Sequence, residues 1–438
     1  MSTNENNTSN SPLIRKTNRR QPENRNTGYS ARENVCLLIK IMVFCAPIAL
    51  MMTFIIEYFG FLDEFKNGHL RTTAECGKRI MGWHTSWNNV IDEKKLTKLT
   101  HLIFCFLWLN SYGQVSFESN NDRLAFFEMK NKARKYNPDA RIMVSVGGAG
   151  KTKHFSSVFG DEKKRRDFIE SIASFLIIHQ VDGVDIFWTG ATFKAEPSEN
   201  ILLFAKGMRK RLTELAKSER RRQPYLLSIA HPGTSHHSTV LKEVLNYADF
   251  INILTYDYYG PFWFKETGPT APLYSSGIKG NETRNVDWSM HFFTCATGKP
   301  SQLNMGLQFI GRYWINVKGA LKESDEMWRV AEPVNGTIVG GTFTWKNLQL
   351  QNIGKSESVW HNESKSTYIW NPEQEVFLSY EKERSLMEKM KYARAKNFGG
   401  VIMWSAGADD DDIDSLMNIV SSTSLCSNYE KNAVNYEC

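Results

Sequence analysis

The sequence predicts an α/β fold: a (β/α)8 barrel with a small α+β insertion before the last barrel strand, preceded by one transmembrane helix. Three observations lead to this prediction. A polar N-terminal tail is followed by a strongly apolar run at residues 35–56. From Lys78 onward, strand-like and helix-like segments alternate, and the alternation is interrupted at about residues 315–375. Strands that alternate with helices pair in parallel, and eight such units close into a barrel.

The first part of the chain is predicted to hold it in a membrane. Residues 1–34 are polar and rich in Asn, Ser and Arg, which indicates a disordered tail. The anchor is predicted at residues 35–59, because its apolar run spans roughly 33 Å as a helix, enough to cross a bilayer core. Arginines precede the anchor and acidic residues follow it. We therefore expect a single-pass protein with a cytoplasmic N-terminus, a stalk at residues 60–75 and a lumenal or extracellular C-terminal domain.

The globular domain is predicted at residues 76–425, followed by a tail at 426–438. The chain has 438 residues and a formal charge of +7, without a basic stripe interleaved with aromatic residues. This composition argues against a nucleic-acid partner. The predicted N-glycan acceptors are Asn281, Asn335 and Asn362.

Seven cysteines are present, five of them beyond the predicted anchor, without Cys-x-x-Cys or metal-ligand spacing. Disulfides are plausible outside the cytosol, and an odd number leaves at least one thiol without an intramolecular partner. Cys426 and Cys438 are close enough in sequence to close a short loop, but the spacing leaves the pairing open. The sequence predicts neither a metal nor a cofactor.

The barrel strands are predicted from short runs of β-branched and aromatic residues. They lie at residues 79–83, 101–109, 141–146, 180–190, 224–230, 250–256, 302–309 and 399–404. Helical spacing of apolar residues predicts helices at residues 92–99, 122–136, 162–179, 198–217 and 238–247. In a barrel of this kind, functional residues lie at the C-terminal ends of the strands.

The fourth predicted strand ends in an unusual combination of side chains. Because residues two apart on a strand face the same way, Asp185, Phe187 and Thr189 form one row. Val184, Ile186 and Trp188 form the opposite row. A carboxylate and a hydroxyl at a strand end, beside a tryptophan, indicate a site at the barrel mouth, and a core strand with a capping aspartate is the alternative.

This stretch resembles the signature of glycoside hydrolase family 18, the chitinases, which reads Asp-Gly-x-Asp-x-Asp-x-Glu. Asp182 and Asp185 match it, whereas Phe187 replaces the third aspartate and Thr189 replaces the catalytic glutamate. Further segments resemble the family's motifs in the same order along the chain: residues 82–87, 100–104, 145–148, 254–257, 306–312 and 399–404. Many relatives have a cysteine where this chain has Leu99, so their first disulfide is not carried over.

The resemblance implies a substrate-assisted reaction, in which the glutamate protonates the leaving oxygen and the substrate's N-acetyl group attacks. Thr189 is far too weak an acid for that step, and losing a general acid typically costs about 100- to 10,000-fold in rate. Glu196 and Glu199 follow in the next loop as poor replacements. No catalytic residue is therefore predicted.

The sugar-binding part of the resemblance is better preserved. Trp404 matches the tryptophan on the floor of the central subsite, and Tyr256 and Asp257 match polar residues that contact the N-acetylated sugar there. Asp185 is expected to reach an acetamido N–H. Trp83 and Trp263 are candidate platforms for sugar rings, as are Trp87 and Trp108, and each is at least as compatible with plain packing. Phe187 is expected to narrow the pocket.

Three hypotheses follow from this pattern. The first is a membrane-anchored, chitinase-like pseudoenzyme that binds chitin or N-acetylglucosamine oligosaccharides without cleaving them. The second is a protein-interaction scaffold with a decayed groove, whose partner the sequence does not identify. The third is a weak chitinase with a displaced acid, Glu196 or Glu199.

Overall fold

The computed structural model describes residues 75–87, 91–189, 197–233, 238–276, 282–344, 347, 357–409, 416–426 and 436–438. Its centre is a barrel of eight parallel strands: β1 (Arg79–Thr85), β2 (His101–Leu109), β4 (Arg141–Gly147), β5 (Gly183–Phe187), β6 (Leu226–His231), β7 (Phe250–Ile253), β8 (Leu303–Gln308) and β16 (Gly400–Trp404). The strands pair in chain order, and β1 closes the barrel by pairing with both β2 and β16. The short strand β3 (Val115–Phe117) runs antiparallel to β2. The predicted barrel is confirmed.

Helices surround the barrel and connect its strands. They are α1 (Glu93–Leu96), α2 (Asn120–Tyr136), α3 (Phe155–Gly160), α4 (Glu162–His179), α5 (Ser198–Ser218), α6 (Ser238–Val244), α7 (Val286–Thr297), α8 (Glu383–Ala395) and α9 (Leu416–Ser422). Side chains cap the N-termini of two long helices. At α2, Ser119 forms a capping box with Asp122, and at α4, the Asp161 side chain accepts from the Lys164 amide. Helices α3, α7, α8 and α9 lie outside the predicted helices.

Each barrel strand separates two apolar layers. On β5, Val184 and Ile186 lie in the large cluster between strands and helices, together with Trp188 just beyond the strand. Phe187 lies in a second cluster, formed by side chains of the barrel interior such as Trp83. The alternation predicted for this strand is therefore confirmed, and it sends Asp185 and Phe187 into the barrel.

The insertion before the last barrel strand consists, in its described part, of two antiparallel sheets. The larger sheet has the order β12 (Gly340–Thr344), β9 (Ile310–Trp314), β15 (Val376–Tyr380), β14 (Ser366–Asn371) and β13 (Val359–His361). The smaller sheet pairs β10 (Val317–Ala320) with β11 (Arg329–Ala331). The first strand, β9, follows β8 almost directly, so the inserted sheet starts beside the barrel mouth.

Two disulfides join distant parts of the chain. Cys76 pairs with Cys426, and Cys295 pairs with Cys438. The short loop between Cys426 and Cys438 is therefore not closed by a disulfide, because each sulfur is bonded elsewhere. Cys105 is a buried free thiol on β2.

The predictions for the N-terminal part of the chain fall on residues that the structure does not describe. These are the tail, the anchor at residues 35–59 and nearly all of the stalk; the glycan acceptor Asn281 also lies outside the described residues. Within the described part of the chain, no helix is both long and apolar enough to cross a bilayer. Asn335 and Asn362 are both exposed.

Candidate functional site

The carboxyl ends of the barrel strands bring together most of the predicted site residues. Phe187 ends β5, Trp404 ends β16, and Tyr256 and Asp257 follow β7. Because all eight strands are parallel, these ends meet at one mouth of the barrel. The ring centroids of Phe187 and Trp404 lie 5.8 Å apart. Phe187, Trp404, Tyr256 and Asp257 therefore share one end of the barrel.

Four aromatic rings form the floor of this mouth. Phe106 stacks on Trp404 at 5.9 Å and meets Phe187 edge-on at 5.2 Å, while Trp83 contacts both Phe187 and Trp404 edge-on. Trp83, Phe106 and Phe187 are buried, whereas Trp404 is half-buried. Such edge-to-face pairs stabilise one another beyond the area that they bury. Phe106 was not predicted, because it lies within a long apolar run where no residue stands out.

Asp185 lies beneath this floor, and four protein groups donate to its carboxylate. Ser228 and Asn252 donate to Oδ1 at 2.6 and 3.1 Å, and Ser145 and the Trp83 indole N–H donate to Oδ2 at 2.8 and 3.2 Å. Burial raises the pKa of Asp185, and the four donors oppose that rise. Asp185 is fully buried, so its carboxylate is not exposed at the mouth.

The carboxylate of Asp185 is one end of a polar chain through the barrel. Asn252 accepts from Asn304 at 2.8 Å, and Asn304 accepts from the Arg79 guanidinium at 2.9 Å. Burial lowers the pKa of Arg79 to about 10. Polar groups in an apolar interior are tolerated when each has a partner. This series of hydrogen bonds therefore holds the side chain of Asp185 in a fixed position among fixed donors.

Asp257 is bound by the first strand of the insertion. The Arg312 guanidinium donates to both carboxylate oxygens, at 2.9 and 2.6 Å, and Gln308 donates to Oδ1 at 2.8 Å. Exposed rings of Phe262 and Trp263 lie over Arg312, each at 5.4 Å. A bidentate pair of this kind is rigid as well as strong. Asp257 and Trp263 therefore lie on one wall of the mouth, and Arg312 and Phe262 join them without having been predicted.

The Tyr256 hydroxyl is a buried polar group without a hydrogen-bond partner among the described residues. Burial raises the pKa of Tyr256 well above its ordinary value, and nearby Asp257 acts in the same direction. The phenol is therefore neutral and offers both a donor and an acceptor. A buried hydroxyl without a partner costs about 1–3 kcal/mol, which a bound polar ligand can recover.

The other predicted platforms differ in exposure. Trp83 is fully buried against Trp404, so its ring is not exposed at the mouth. Trp263 and Trp87 are 53% and 63% exposed, on the connections that follow β7 and β1. Trp108 is half-buried and contacts His154. The rings available to a ligand are therefore Trp404, Trp263 and Trp87, with Phe262 beside them.

Asp182 lies at the opposite end of the barrel, before the start of β5. Arg134 and Arg221 donate to its two oxygens at 2.7 and 2.6 Å, and the Ile142 amide donates at 2.9 Å. Burial alone would raise the pKa of Asp182, but Arg134, the Ile142 amide and Arg141 hold it below its ordinary value. This part of the signature therefore ties β4 and β5 to the surrounding helices and does not reach the mouth.

Thr189 follows Phe187 at the mouth and is half-buried, and its carbonyl accepts a long hydrogen bond of 3.4 Å from Thr152. Of the two candidate replacement acids, Glu199 is exposed in the first turn of α5, while Glu196 lies outside the described residues.

Comparisons with known proteins agree with this architecture. Residues 79–409 match the family model described as glycosyl hydrolases family 18. Chitinase A1 of Niallia circulans is 28% identical over 297 residues, which are 64% of this chain and 42% of that protein. The chain therefore spans well under half of the length of this curated relative.

Solved structures share the fold. A family 18 N-acetylglucosaminidase from Paenibacillus barengoltzii matches with a TM-score of 0.68 and 24% identity, covering 79% of this chain and 99% of that one. A family 18 chitinase from Cycas revoluta, in complex with (GlcNAc)3, matches with a TM-score of 0.68 and 22% identity, covering 78% and 98%.

Proposed function

Because the chain belongs to glycoside hydrolase family 18, we propose that it is a chitinase-like pseudoenzyme. It binds chitin or N-acetylglucosamine oligosaccharides at the barrel mouth and does not hydrolyse them. The proposal includes a single-pass anchor at residues 35–59, with the barrel in the lumen or outside the cell. Its main support is the half-buried ring of Trp404 on the floor of the mouth, beside a Tyr256 hydroxyl that has no partner among the described residues.

The binding part of the proposal rests on complementarity to a sugar ring. An aromatic face packs against the apolar face of a sugar, while polar groups at the edge bond its hydroxyls. Trp404 supplies the face, and Tyr256 with the Asp257–Arg312 pair supplies the edge. The Trp87 ring lies 6.4 Å from Phe106 of the floor, and the Trp263 ring lies over Arg312 on the wall. Several such faces suit an oligosaccharide better than a single sugar.

The proposed lack of hydrolysis rests on the side chains that could act as a general acid at the end of β5. Protonating a glycosidic oxygen requires a group that holds a proton near neutral pH and releases it in the transition state. The two residues at the end of the β5 row are Phe187 and Thr189, and neither can do this. The nearest carboxyl on the strand, Asp185, is sealed below the floor and bonded four times.

One observation favours the interaction scaffold as a second candidate. Phe187 contacts three aromatic neighbours and closes the floor between Asp185 and the mouth. A closed floor reduces the depth available to an N-acetyl group. A protein that binds outside the groove would then explain why the barrel is kept.

Calorimetric titration of the full chain in detergent with N-acetylglucosamine tetramer tests the proposal. We expect a micromolar Kd, raised at least tenfold in Trp404→Ala, which corresponds to 1.4 kcal/mol. Trp288→Ala, on the outer helix α7, is the matched control and keeps the wild-type Kd. The tetramer should be recovered uncleaved by mass spectrometry after prolonged incubation.

Each result separates the candidate functions. Absence of heat at millimolar tetramer, with a folded chain, refutes glycan binding and leaves the scaffold. Cleavage refutes the pseudoenzyme, and its loss in Glu196→Gln or Glu199→Gln would identify a displaced acid.

A further inference from the structure

A histidine and two carboxylates converge in the inserted sheets. Asp325 lies on the connection between β10 and β11, His361 ends β13, and Glu363 lies in the turn that leads to β14. The ligand atoms of the three residues all lie within 4.8 Å of one another. Asp325 is buried, His361 is half-buried and Glu363 is exposed, so the cluster has one closed side and one open side. We propose that these three residues hold a divalent cation, with Zn²⁺ as the best fit.

The distance between the first two ligands fits a metal ion. His361 Nε2 and Asp325 Oδ2 lie 3.2 Å apart. With zinc–ligand bonds of about 2.0–2.1 Å, the edge of a tetrahedral site is about 3.3 Å long. The observed separation of these two atoms is therefore close to that of two ligands on one zinc ion. The third ligand must approach by roughly 1.5 Å from the 4.8 Å limit, which the exposed side chain of Glu363 can do by rotating.

Asp325 and His361 are already oriented by other bonds. The Met327 amide donates to Asp325 Oδ1 at 3.1 Å, which leaves Oδ2 directed at His361. His361 Nδ1 lies 2.7 Å from the hydroxyl of buried Ser364 and accepts from the Ser364 amide at 3.3 Å. In the metal-free protein Nε2 therefore carries the proton and donates it to Asp325. Binding of an ion at Nε2 moves the proton of the ring to Nδ1, where the Ser364 hydroxyl can accept it. Bonds to the remote atoms of metal ligands orient the ring toward the ion.

The charge and ligand types select the ion. Two carboxylates and a neutral imidazole carry a formal charge of −2, which a divalent cation balances. The imidazole favours Zn²⁺ over Mg²⁺ and Ca²⁺, which prefer oxygen ligands alone. Three protein ligands leave the fourth tetrahedral position to water.

The proposed site joins two segments of the insertion and is tied to the barrel. The Leu273 amide donates to the Ser364 carbonyl at 2.8 Å. The same connection after β7 carries Thr270, whose hydroxyl donates to Gln308, a partner of Asp257. An ion at this site therefore holds the insertion against the wall that contains Asp257. We expect its role to be structural.

Zinc titration of the full chain tests this inference. The protein is treated with EDTA, dialysed and titrated with zinc chloride or magnesium chloride, without a histidine tag. We expect Zn²⁺ to bind with a micromolar Kd, to raise Tm, and to bind at least tenfold more tightly than Mg²⁺. Glu363→Gln and Asp325→Asn should each weaken zinc binding at least tenfold. Glu373→Gln makes the same charge change in the next hairpin turn and should leave the Kd within twofold.

The variants also exclude the ordinary alternative, a His–Asp hydrogen bond without a metal. That alternative predicts no saturable zinc binding, or binding that is equal in wild type and Glu363→Gln, and either result overturns the proposal. Glu363 is exposed, so its replacement leaves the fold intact and the comparison remains valid. Glycan binding at the barrel mouth is measured separately, so either proposal can fail alone.

Discussion

The buried carboxylate of Asp185 gives the sharpest test of how this barrel is held together. Two substitutions separate its roles. Asp185→Ala removes the charge and both acceptor atoms, while Asp185→Asn removes the charge and keeps one acceptor oxygen. We expect the alanine variant to lose far more unfolding free energy than the asparagine variant.

The magnitude follows from the donors that lose their acceptor. The hydroxyls of Ser145 and Ser228 can rotate toward other partners, but the Trp83 indole and the Asn252 amide are fixed in the wall. Each buried donor without a partner costs about 1–3 kcal/mol. With the cavity that remains, Asp185→Ala should lose about 3–5 kcal/mol, the range for breaking a buried charged network. Asp185→Asn should lose about 1–2 kcal/mol. Its amide nitrogen replaces one oxygen, the hydroxyl beside that nitrogen can rotate, and a single fixed N–H donor is left without an acceptor.

The pH dependence of the asparagine variant has a definite sign. Burial holds the pKa of Asp185 above its usual value in the folded state. Below the unfolded pKa of about 3.9, the proton is present in both states and the stability does not depend on it. Above that value the unfolded chain loses its proton first, so the wild-type unfolding free energy falls, by at most about 1.4 kcal/mol per pH unit, until the folded pKa is reached. Asp185→Asn lacks this fall.

Urea unfolding of the three proteins, followed by tryptophan fluorescence, measures these differences. The experiment is repeated at pH 4, 5, 6 and 7. The stability of Asp185→Asn relative to wild type should rise with pH over this range. Equal losses for the alanine and asparagine variants would refute the argument from stranded donors. A relative stability that falls with pH would refute the raised pKa.

Three further predictions concern the mouth and two buried groups. Thr189→Glu alone should leave the hydrolysis rate of a fluorogenic chitobiose substrate at background. The double variant Phe187→Asp with Thr189→Glu should raise that rate about 100-fold or more. Equal rates in both variants would contradict the proposed role of Phe187. Burial lowers the pKa of His84 to about 4, so the unfolded chain binds its proton first and stability falls from pH 6.5 to 4. His84→Gln should lose less stability over that range, and parallel profiles would exclude this contribution. Burial raises the pKa of Cys105 well above its ordinary value, so iodoacetamide at pH 8 should label it only after unfolding, as read by mass spectrometry.

The barrel could be predicted from the sequence because each of its strands is a short apolar run bounded by polar residues. The alternation on β5 also predicted correctly that Asp185 and Phe187 face the barrel interior, while Val184 and Ile186 face the helices. Alternation does not show how deep a side chain lies beneath its neighbours. The depth of Asp185 and Trp83 is set by Phe106, Phe187 and Trp404, which come from three different strands.

The partners of the buried carboxylate could not be predicted, because strand register decides them. Asp185 lies opposite Ser145 on β4 and opposite Ser228 on β6, and both hydroxyls donate to it. A single sequence does not specify a register between strands that are tens of residues apart. The same reason explains Arg312, which reaches Asp257 from a strand of the insertion. The disulfides likewise join residues that only the folded chain brings together.

Phe187 and Asp185 are best understood as a coupled pair. An apolar ring at position 187 seals the carboxylate from water, and the carboxylate's four donors leave it no bond to offer a ligand. A glutamate at position 189 would then stand at the mouth without a partner below it to hold the substrate's acetamido group. We therefore expect the double substitution at positions 187 and 189 to hydrolyse substrate faster than the substitution at position 189 alone. Trp404 packs on this closed floor and is thereby held as a rigid aromatic face at the mouth.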